Sequence, residues 1–448
     1  MSQASSTACA RTLSEALWAR ALNVIPAGTQ TFSKGPGQFV EGVAPKYLKR
    51  GCGSHVWDVD GNEFIDYGMA LGPVILGYAN ARVDEAIRAQ LRDGITFTLM
   101  HPLEVELAEL LTQVIPCAQM VRFGKNGSDA TAAAVRLARA VTGRERIACC
   151  GYHGWQDWYI GSTSRYAGVP KAVQQLTSSF RYNDLASLET LFQAYPDEIA
   201  AVILEPVTTA EPLPGFLEAV RDLAHRHGAL LIFDEVLTGF RMALGGAQEY
   251  FGVTPDLAAF GKAMANGMPL SAVVGRADLM RRFDDVFYSF TFGGEALSLA
   301  AAVATVQELM ERPVIPHIWT LGRRLMEGYN ELARMRGLEN ITRCVGYPCW
   351  PTLTFADARG PASSLLQTLF FQEAVKRGIL SRAGMFLCGA HTSDDMDRTL
   401  AVYATALDVL RDAIQQGNME ERLEGALIEP VIRAVASAGK IVRGRQES

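Results

Sequence analysis

Between residues 120 and 275 short apolar runs alternate with helix-patterned segments, and this alternation constrains the fold more than any other feature of the chain. "MVRFG" precedes "SDATAAAVRLARAVTG", and "RIACCG" follows it. "DLASLETLFQAY" precedes "IAAVILEPV", "GFLEAVRDLAHRHG" precedes "ALLIFDEV", and "DLAAFG" and "LSAVVG" close the series. Strands joined through helices lie mostly parallel, and near-continuous apolar strands are covered on both faces. The expected fold class is therefore α/β, with a mostly parallel sheet in a large domain at residues 76–325. Residues 1–75 read as an N-terminal arm and a hairpin, "SHVWDVDGNEFIDYG", turning at Asp-Gly-Asn. From 326 to 448 a smaller α+β domain is expected, with the N-terminal arm packed on it.

Composition removes several function classes. The net charge is −6 and no long basic stripe appears, which argues against nucleic acid as a partner. The basic ending "GKIVRGRQES" reads as a short solvated tail. No apolar run approaches a membrane span, and the N-terminus lacks the apolar core of a secretory signal. Eight cysteines are scattered without a CxxC or Cys/His ligand pattern. They read as reduced thiols of a cytoplasmic protein, with no metal site.

In open α/β sheets ligands bind beyond the carboxyl ends of the strands, so the strand ends carry the functional reading. Four stand out. In "RFGKNGSDATAAAV" a strand runs through Gly127 and Ser128 into a helix, whose first N–H groups suit a phosphate; an ordinary helix cap explains it equally well. In "CCGYHGWQDW" Tyr152 is placed to stack on a flat ligand or simply to pack on a turn, and His153 reads as a structural hydrogen-bonding histidine. In "ALLIFDEVLTGFR" Asp234 and Glu235 end a buried strand. The strand period puts Asp234 and Val236 on one side and Glu235 on the other. In "AAFGKAMANGMPL" Lys262 ends the next strand, as an ion-pair partner or as a Schiff-base lysine that burial tunes towards the neutral amine.

Each feature alone has an ordinary explanation, but together they describe one ligand. It carries a phosphate for Gly127 and Ser128, a flat ring for Tyr152 and Val236, a basic ring nitrogen for Asp234 and an aldehyde for Lys262. Pyridoxal 5′-phosphate has all four, and its chemistry requires both an amine to hold the aldehyde and an acid to keep the ring nitrogen protonated.

The run "IFDEVLTGFRMALGGAQEYFGVTPDLAAFGKAMANGMPLSAVVG" resembles the class III pyridoxal-phosphate aminotransferases of fold type I, and within them the glutamate semialdehyde aminomutase subgroup. "VWDVDGNEFIDY", "AAAVRLARAVTGR", "YHG", "EPV" and "GAHTSDDMD" match in the same order, so the resemblance spans nearly the whole chain. It implies that Lys262 forms the aldimine with the cofactor and moves the proton, that Asp234 pairs with the ring nitrogen, and that Tyr152 and Val236 flank the ring. It implies that Gly127 and Ser128 hold the phosphate. It also implies a homodimer with shared active sites, Thr291 in "SFTFGG" reaching the phosphate of the neighbouring protomer.

Several positions depart from the aminomutase pattern. The phosphate turn is Asn126-Gly127-Ser128-Asp129, the serine–tryptophan pair before Gly-Pro is Ala70-Leu71, and the carboxylate-binding arginine of the N-terminal loop aligns with Lys34. The variant "KNGSDAT…GYHGWQDW…FTFGGEALS" is similar to aminotransferases of aminoglycoside and amino-sugar biosynthesis. A mouth of Trp155, Trp158, Tyr159, Asp157 and Glu295 would suit a polyhydroxylated or polyamine substrate, while Arg241 and Arg382 are expected to serve a glutamate donor. The reading is an aminotransferase acting between a small-molecule amino donor and a carbonyl acceptor. Its alternatives are an aminomutase, an epimerase or a dehydratase on an amino sugar, or glutamate semialdehyde aminomutase itself. A non-catalytic binding module would have little reason to keep both Lys262 and Asp234.

Overall fold

The computed structural model describes residues 12–357, 360 and 362–429. The basic ending noted above lies outside them.

The central sheet has seven strands in the spatial order Met120–Gly124, Ser271–Gly275, Leu257–Phe260, Leu230–Asp234, Ile199–Leu204, Arg146–Cys150 and Thr177–Ser179. Ser271–Gly275 runs against both its neighbours, and the remaining pairs are parallel. All strands but that one therefore point the same way, and their carboxyl ends share one edge. Burial explains the unbroken apolar runs: every residue of Ile199–Leu204 and of Leu257–Phe260 is buried. The helix Gly127–Thr142 turns buried Ala130, Ala133, Ala134 and Ala138 inward, and such small side chains let its axis come close to the sheet. The strand Thr177–Ser179 carries no apolar run, so nothing in its sequence announces it.

The hairpin forms where the Asp-Gly-Asn turn places it. His55–Asp58 pairs antiparallel with Glu63–Asp66, and the Asp58 carboxylate accepts from the amides of Asp60 and Asn62 across the turn. Gly61 there has φ +92°, which glycine adopts without strain. On its other side Glu63–Asp66 pairs in parallel with the short strand Ile379–Leu380, joining the two ends of the chain in one sheet. The helices Val314–Arg334 and Ser364–Val375 pack on the antiparallel pair Thr342–Tyr347 and Trp350–Phe355, and Ser393–Gln416 packs on both helices. Among the described residues no helix is long and apolar enough to cross a membrane.

Candidate active site

A cleft of about 370 Å³ opens at the shared carboxyl edge of the sheet. Gly127, Ser128, Tyr152, Asp234, Val236 and Lys262, singled out from the sequence, all line it. So do His153 and Glu205.

The phosphate end is built by the helix Gly127–Thr142. Asn126 and Asp129 cap it reciprocally, so the amides of Gly127 and Ser128 open the helix without acceptors in its own ladder. Gly127 lies against Val236: a Cβ there would stand 2.8 Å from Val236 Cγ1. Ser128 Oγ accepts from the Trp155 N–H at 3.3 Å, and Gly154 lies over it with φ +103°.

Asp234 Oδ2 lies 2.8 Å from His153 Nδ1, and Oδ1 accepts from the Val236 N–H at 3.1 Å. His153 is buried, with Trp158 stacked beside it and Tyr159 edge-on. Its Nε2 has no hydrogen-bond partner among the described residues, a buried polar atom left over on the far side of the ring. Glu235 points the opposite way, as the strand period requires. There its carboxylate accepts from Thr238 Oγ1 and from the amides of Ala247 and Gln248, organising the loop behind the site.

Lys262 follows the strand Leu257–Phe260 after Gly261 and has φ +41°, a left-handed backbone that a lysine rarely adopts. Such strain persists only where the surroundings enforce it, and it gathers at functional sites. Burial lowers the proton affinity of the amine, Glu205 and Asp234 oppose that shift, and Arg241 adds to it.

Glu205 is the residue that sequence reasoning passed over. It directly follows the buried strand Ile199–Leu204, as Asp234 ends the apolar "LLIF", so the same strand-end rule finds it. Its Oε2 accepts from the Tyr152 N–H at 2.8 Å, and burial, reinforced by Asp234, pushes its carboxyl up to about 7.

These residues fit pyridoxal phosphate. Open amides and a hydroxyl face the anionic end, Tyr152 and Val236 bound a slot, the Asp234–His153 pair offers an anchored carboxylate and Lys262 an amine.

Other expectations need correction. Trp158 and Tyr159 do not line the mouth: both are buried in the core, and the Tyr159 hydroxyl donates to the Gly151 carbonyl at 2.9 Å. Because they take the inward positions of the short helix Asp157–Ile160, Asp157 is exposed and outside the cleft lining. Glu295 also lies outside it. Its carboxylate caps the helix Ala296–Glu311 and accepts from Lys125 Nζ at 2.9 Å. Arg241 is fully buried on backbone carbonyls and cannot meet a donor carboxylate. Arg382 spends two donors on the Ser33 carbonyl and Gln38 Oε1. Lys34 borders a separate cavity of about 270 Å³ with Ala70 and Leu71. Trp155 does line the cleft, and Thr291 is exposed in a turn outside it.

Comparisons with known proteins bear on this geometry. The family model "Aminotransferase class-III" matches residues 40–383. A 3-aminobutyryl-CoA aminotransferase of Cloacimonas acidaminovorans is 36% identical, over 88% of this chain and 96% of its own length. A glutamate-1-semialdehyde 2,1-aminomutase of Alkaliphilus oremlandii is 37% identical, over 89% and 99%. Among solved structures, the PLP internal aldimine form of the FumI protein of Sphingopyxis sp. MTA144 has a TM-score of 0.85 at 31% identity, covering 90% of this chain and 98% of that one. An omega-transaminase of Sphaerobacter thermophilus has a TM-score of 0.80 at 29% identity, covering 89% and 98%.

Proposed function

We propose a substrate and residue roles for a chain that belongs to the class-III aminotransferase family and is a pyridoxal-phosphate-dependent aminotransferase. It moves an amino group from a donor, glutamate, to the carbonyl of a polyhydroxylated amino-sugar or aminoglycoside acceptor. The bound cofactor supplies an aldehyde for amine capture and a ring that withdraws electrons from the reacting carbon.

Lys262 holds the cofactor and, as a neutral amine, takes and returns the substrate proton. Its burial supports this role, because a buried ammonium gives up its proton readily. Asp234 holds the ring nitrogen protonated, and His153 fixes the orientation of that carboxylate. The amides of Gly127 and Ser128, with the Ser128 hydroxyl, hold the phosphate. Tyr152 and Val236 keep the ring flat between them.

The substrate reading rests on one observation. Trp155 lines the cleft yet is 64% exposed, an aromatic side chain left free once Tyr152 and Val236 are given to the cofactor ring. Such a side chain suits the C–H surface of a sugar ring or a cationic amine.

The active unit is a homodimer in which Thr291 of one protomer serves the site of the other. Phe287 and Phe292, close to Thr291 in the chain, and Leu99 and Met100, close to Ile95, whose carbonyl accepts from the Ala296 N–H, are all exposed, and exposed apolar side chains of this kind are ones that a second copy would cover.

The 37% identity to aminomutases favours glutamate semialdehyde aminomutase as the second reading. The test mixes the cofactor-loaded enzyme with glutamate and each of several amino sugars and aminoglycosides that bear a ketone or aldehyde, measuring released 2-oxo acid, and separately with glutamate semialdehyde alone, measuring loss of the semialdehyde. Turnover of glutamate semialdehyde as efficient as that of the best sugar would overturn the proposal.

A further inference from the structure

The residues assigned above leave one polar group of pyridoxal phosphate without a partner. Gly127 and Ser128 take the phosphate, Asp234 the ring nitrogen and Lys262 the aldehyde, and no residue is assigned to the phenolic oxygen. Among the acids of the cleft Glu205 is likewise unassigned. It lines the cleft and is only partly exposed. Its Oε2 accepts from the Tyr152 N–H at 2.8 Å, which leaves Oε1 to the cleft.

Strand order puts this acid on the flank where the phenolic oxygen belongs. Beyond Met120–Gly124, which runs into the phosphate turn, and its antiparallel neighbour, the strands lead in turn to Lys262, Asp234 and Glu205. In pyridoxal phosphate the phosphate arm and the phenolic oxygen lie on opposite flanks of the line from ring nitrogen to aldehyde. With the phosphate towards Met120–Gly124 and that line held by Asp234 and Lys262, the phenolic oxygen falls on the flank of Glu205.

Strand register decides which acid carries a proton. Leu204 pairs in parallel with Phe233, so Glu205 and Asp234 follow side by side on one face. Two carboxylates so close in a water-poor cleft do not both ionise readily. Asp234 has two partners for its charge, His153 Nδ1 and the Val236 N–H, and Glu205 has one. The proton therefore sits on Glu205. Burial and then Asp234 raise its carboxyl to about 7, against the opposing pulls of His153, the Tyr152 N–H and Lys262. The other titratable groups that its charge acts on are the Cys150 thiol and the phenols of Tyr152, Tyr159 and Tyr182, and burial raises each of them, so they stay neutral.

We propose that Glu205 binds the cofactor as a neutral acid, donating the hydrogen on Oε1 to the phenolic oxygen of pyridoxal phosphate. Ionised Glu205 has no hydrogen to give and sets a second negative charge beside Asp234. Glutamine in its place keeps a donor that does not titrate, and leucine keeps none.

The proposal rests on the cofactor reading given above. To test it, apoenzyme is titrated by its intrinsic fluorescence with pyridoxal phosphate and with 3-deoxypyridoxal 5′-phosphate, which lacks only the phenolic oxygen. Glu205→Leu is expected to weaken binding of pyridoxal phosphate about tenfold or more, and binding of the deoxy analogue less than about twofold. Lost packing, or loss of the Tyr152 contact, would weaken both alike, and that result overturns the proposal. If Glu205→Leu does not fold, Glu205→Gln carries the test through pH. Between about pH 6 and pH 8 the wild-type affinity for pyridoxal phosphate is expected to fall about tenfold more than that of Glu205→Gln, because binding requires a proton that the wild type loses over this range. Parallel pH profiles overturn the neutral acid. A wild type that does not bind pyridoxal phosphate at all fails the cofactor reading itself, and the proposal with it.

Discussion

Glu205→Gln should stabilise the cofactor-free protein, and mainly at neutral and alkaline pH. In the folded chain burial, with Asp234 beside it, raises the Glu205 carboxyl from 4.5 to about 7. A folded-state value above the unfolded one means that the folded state holds the proton more tightly, so stability falls as pH rises from about 4.5 through 7. Integrating between the two states gives a cost of roughly 0.8 kcal/mol at pH 5 and about 3 kcal/mol at pH 8. Glutamine keeps the shape and the bond from the Tyr152 N–H but never ionises, so it recovers that cost. With about 2 cal/mol/K of unfolding entropy per residue over 448 residues, the Tm gain is about 3 °C at pH 8 and about 1 °C at pH 5. The assay is thermal unfolding of both apoproteins at one scan rate at each pH. An equal gain at the two pH values, or a loss at pH 8, would refute the reasoning.

Lys262→Ala should leave a folded protein without turnover, since no other amine among the described residues lines the cleft; circular dichroism and a 2-oxo acid assay check the two halves. Asp234→Asn should keep the fold and lower kcat by about two to three orders of magnitude, because a neutral amide no longer stabilises a protonated ring nitrogen; single-turnover absorbance measures it, and wild-type kinetics would contradict it. Gly154→Ala should weaken cofactor binding about tenfold or more, since a Cβ at φ +103° would stand 2.1 Å from Ser128 Oγ and displace it; fluorescence titration of the apoprotein reads the change.

Much of the sheet was legible because its strands are buried on both faces and therefore read as continuous apolar runs. The strand Thr177–Ser179 was not, since an edge strand of threonine and serine is fixed only by pairing with Arg146–Cys150. At the site, residues that end apolar strands could be read from the sequence: Asp234 and Lys262 stood out because charge at the mouth of a buried strand needs a reason. Glu205 obeys the same rule, one residue past the buried strand Ile199–Leu204. The mouth was misread for a different reason. Which of Trp155, Trp158 and Tyr159 points outward depends on a one-turn helix packed against the core, and residue type alone does not reveal that. Arg241 and Glu295 were misread because a backbone carbonyl or a helix terminus satisfies a charge as well as a ligand does, and neither leaves a mark in the sequence.

The central claim is that Lys262 is the amine that captures the cofactor. Borohydride reduction of the enzyme loaded with pyridoxal phosphate, followed by peptide mass spectrometry, tests it directly. The expected result is a single reduced phosphopyridoxyl group on Lys262, absent when the cofactor is omitted. A label on Lys34, Lys125 or another lysine, with Lys262 unmodified, would contradict the account.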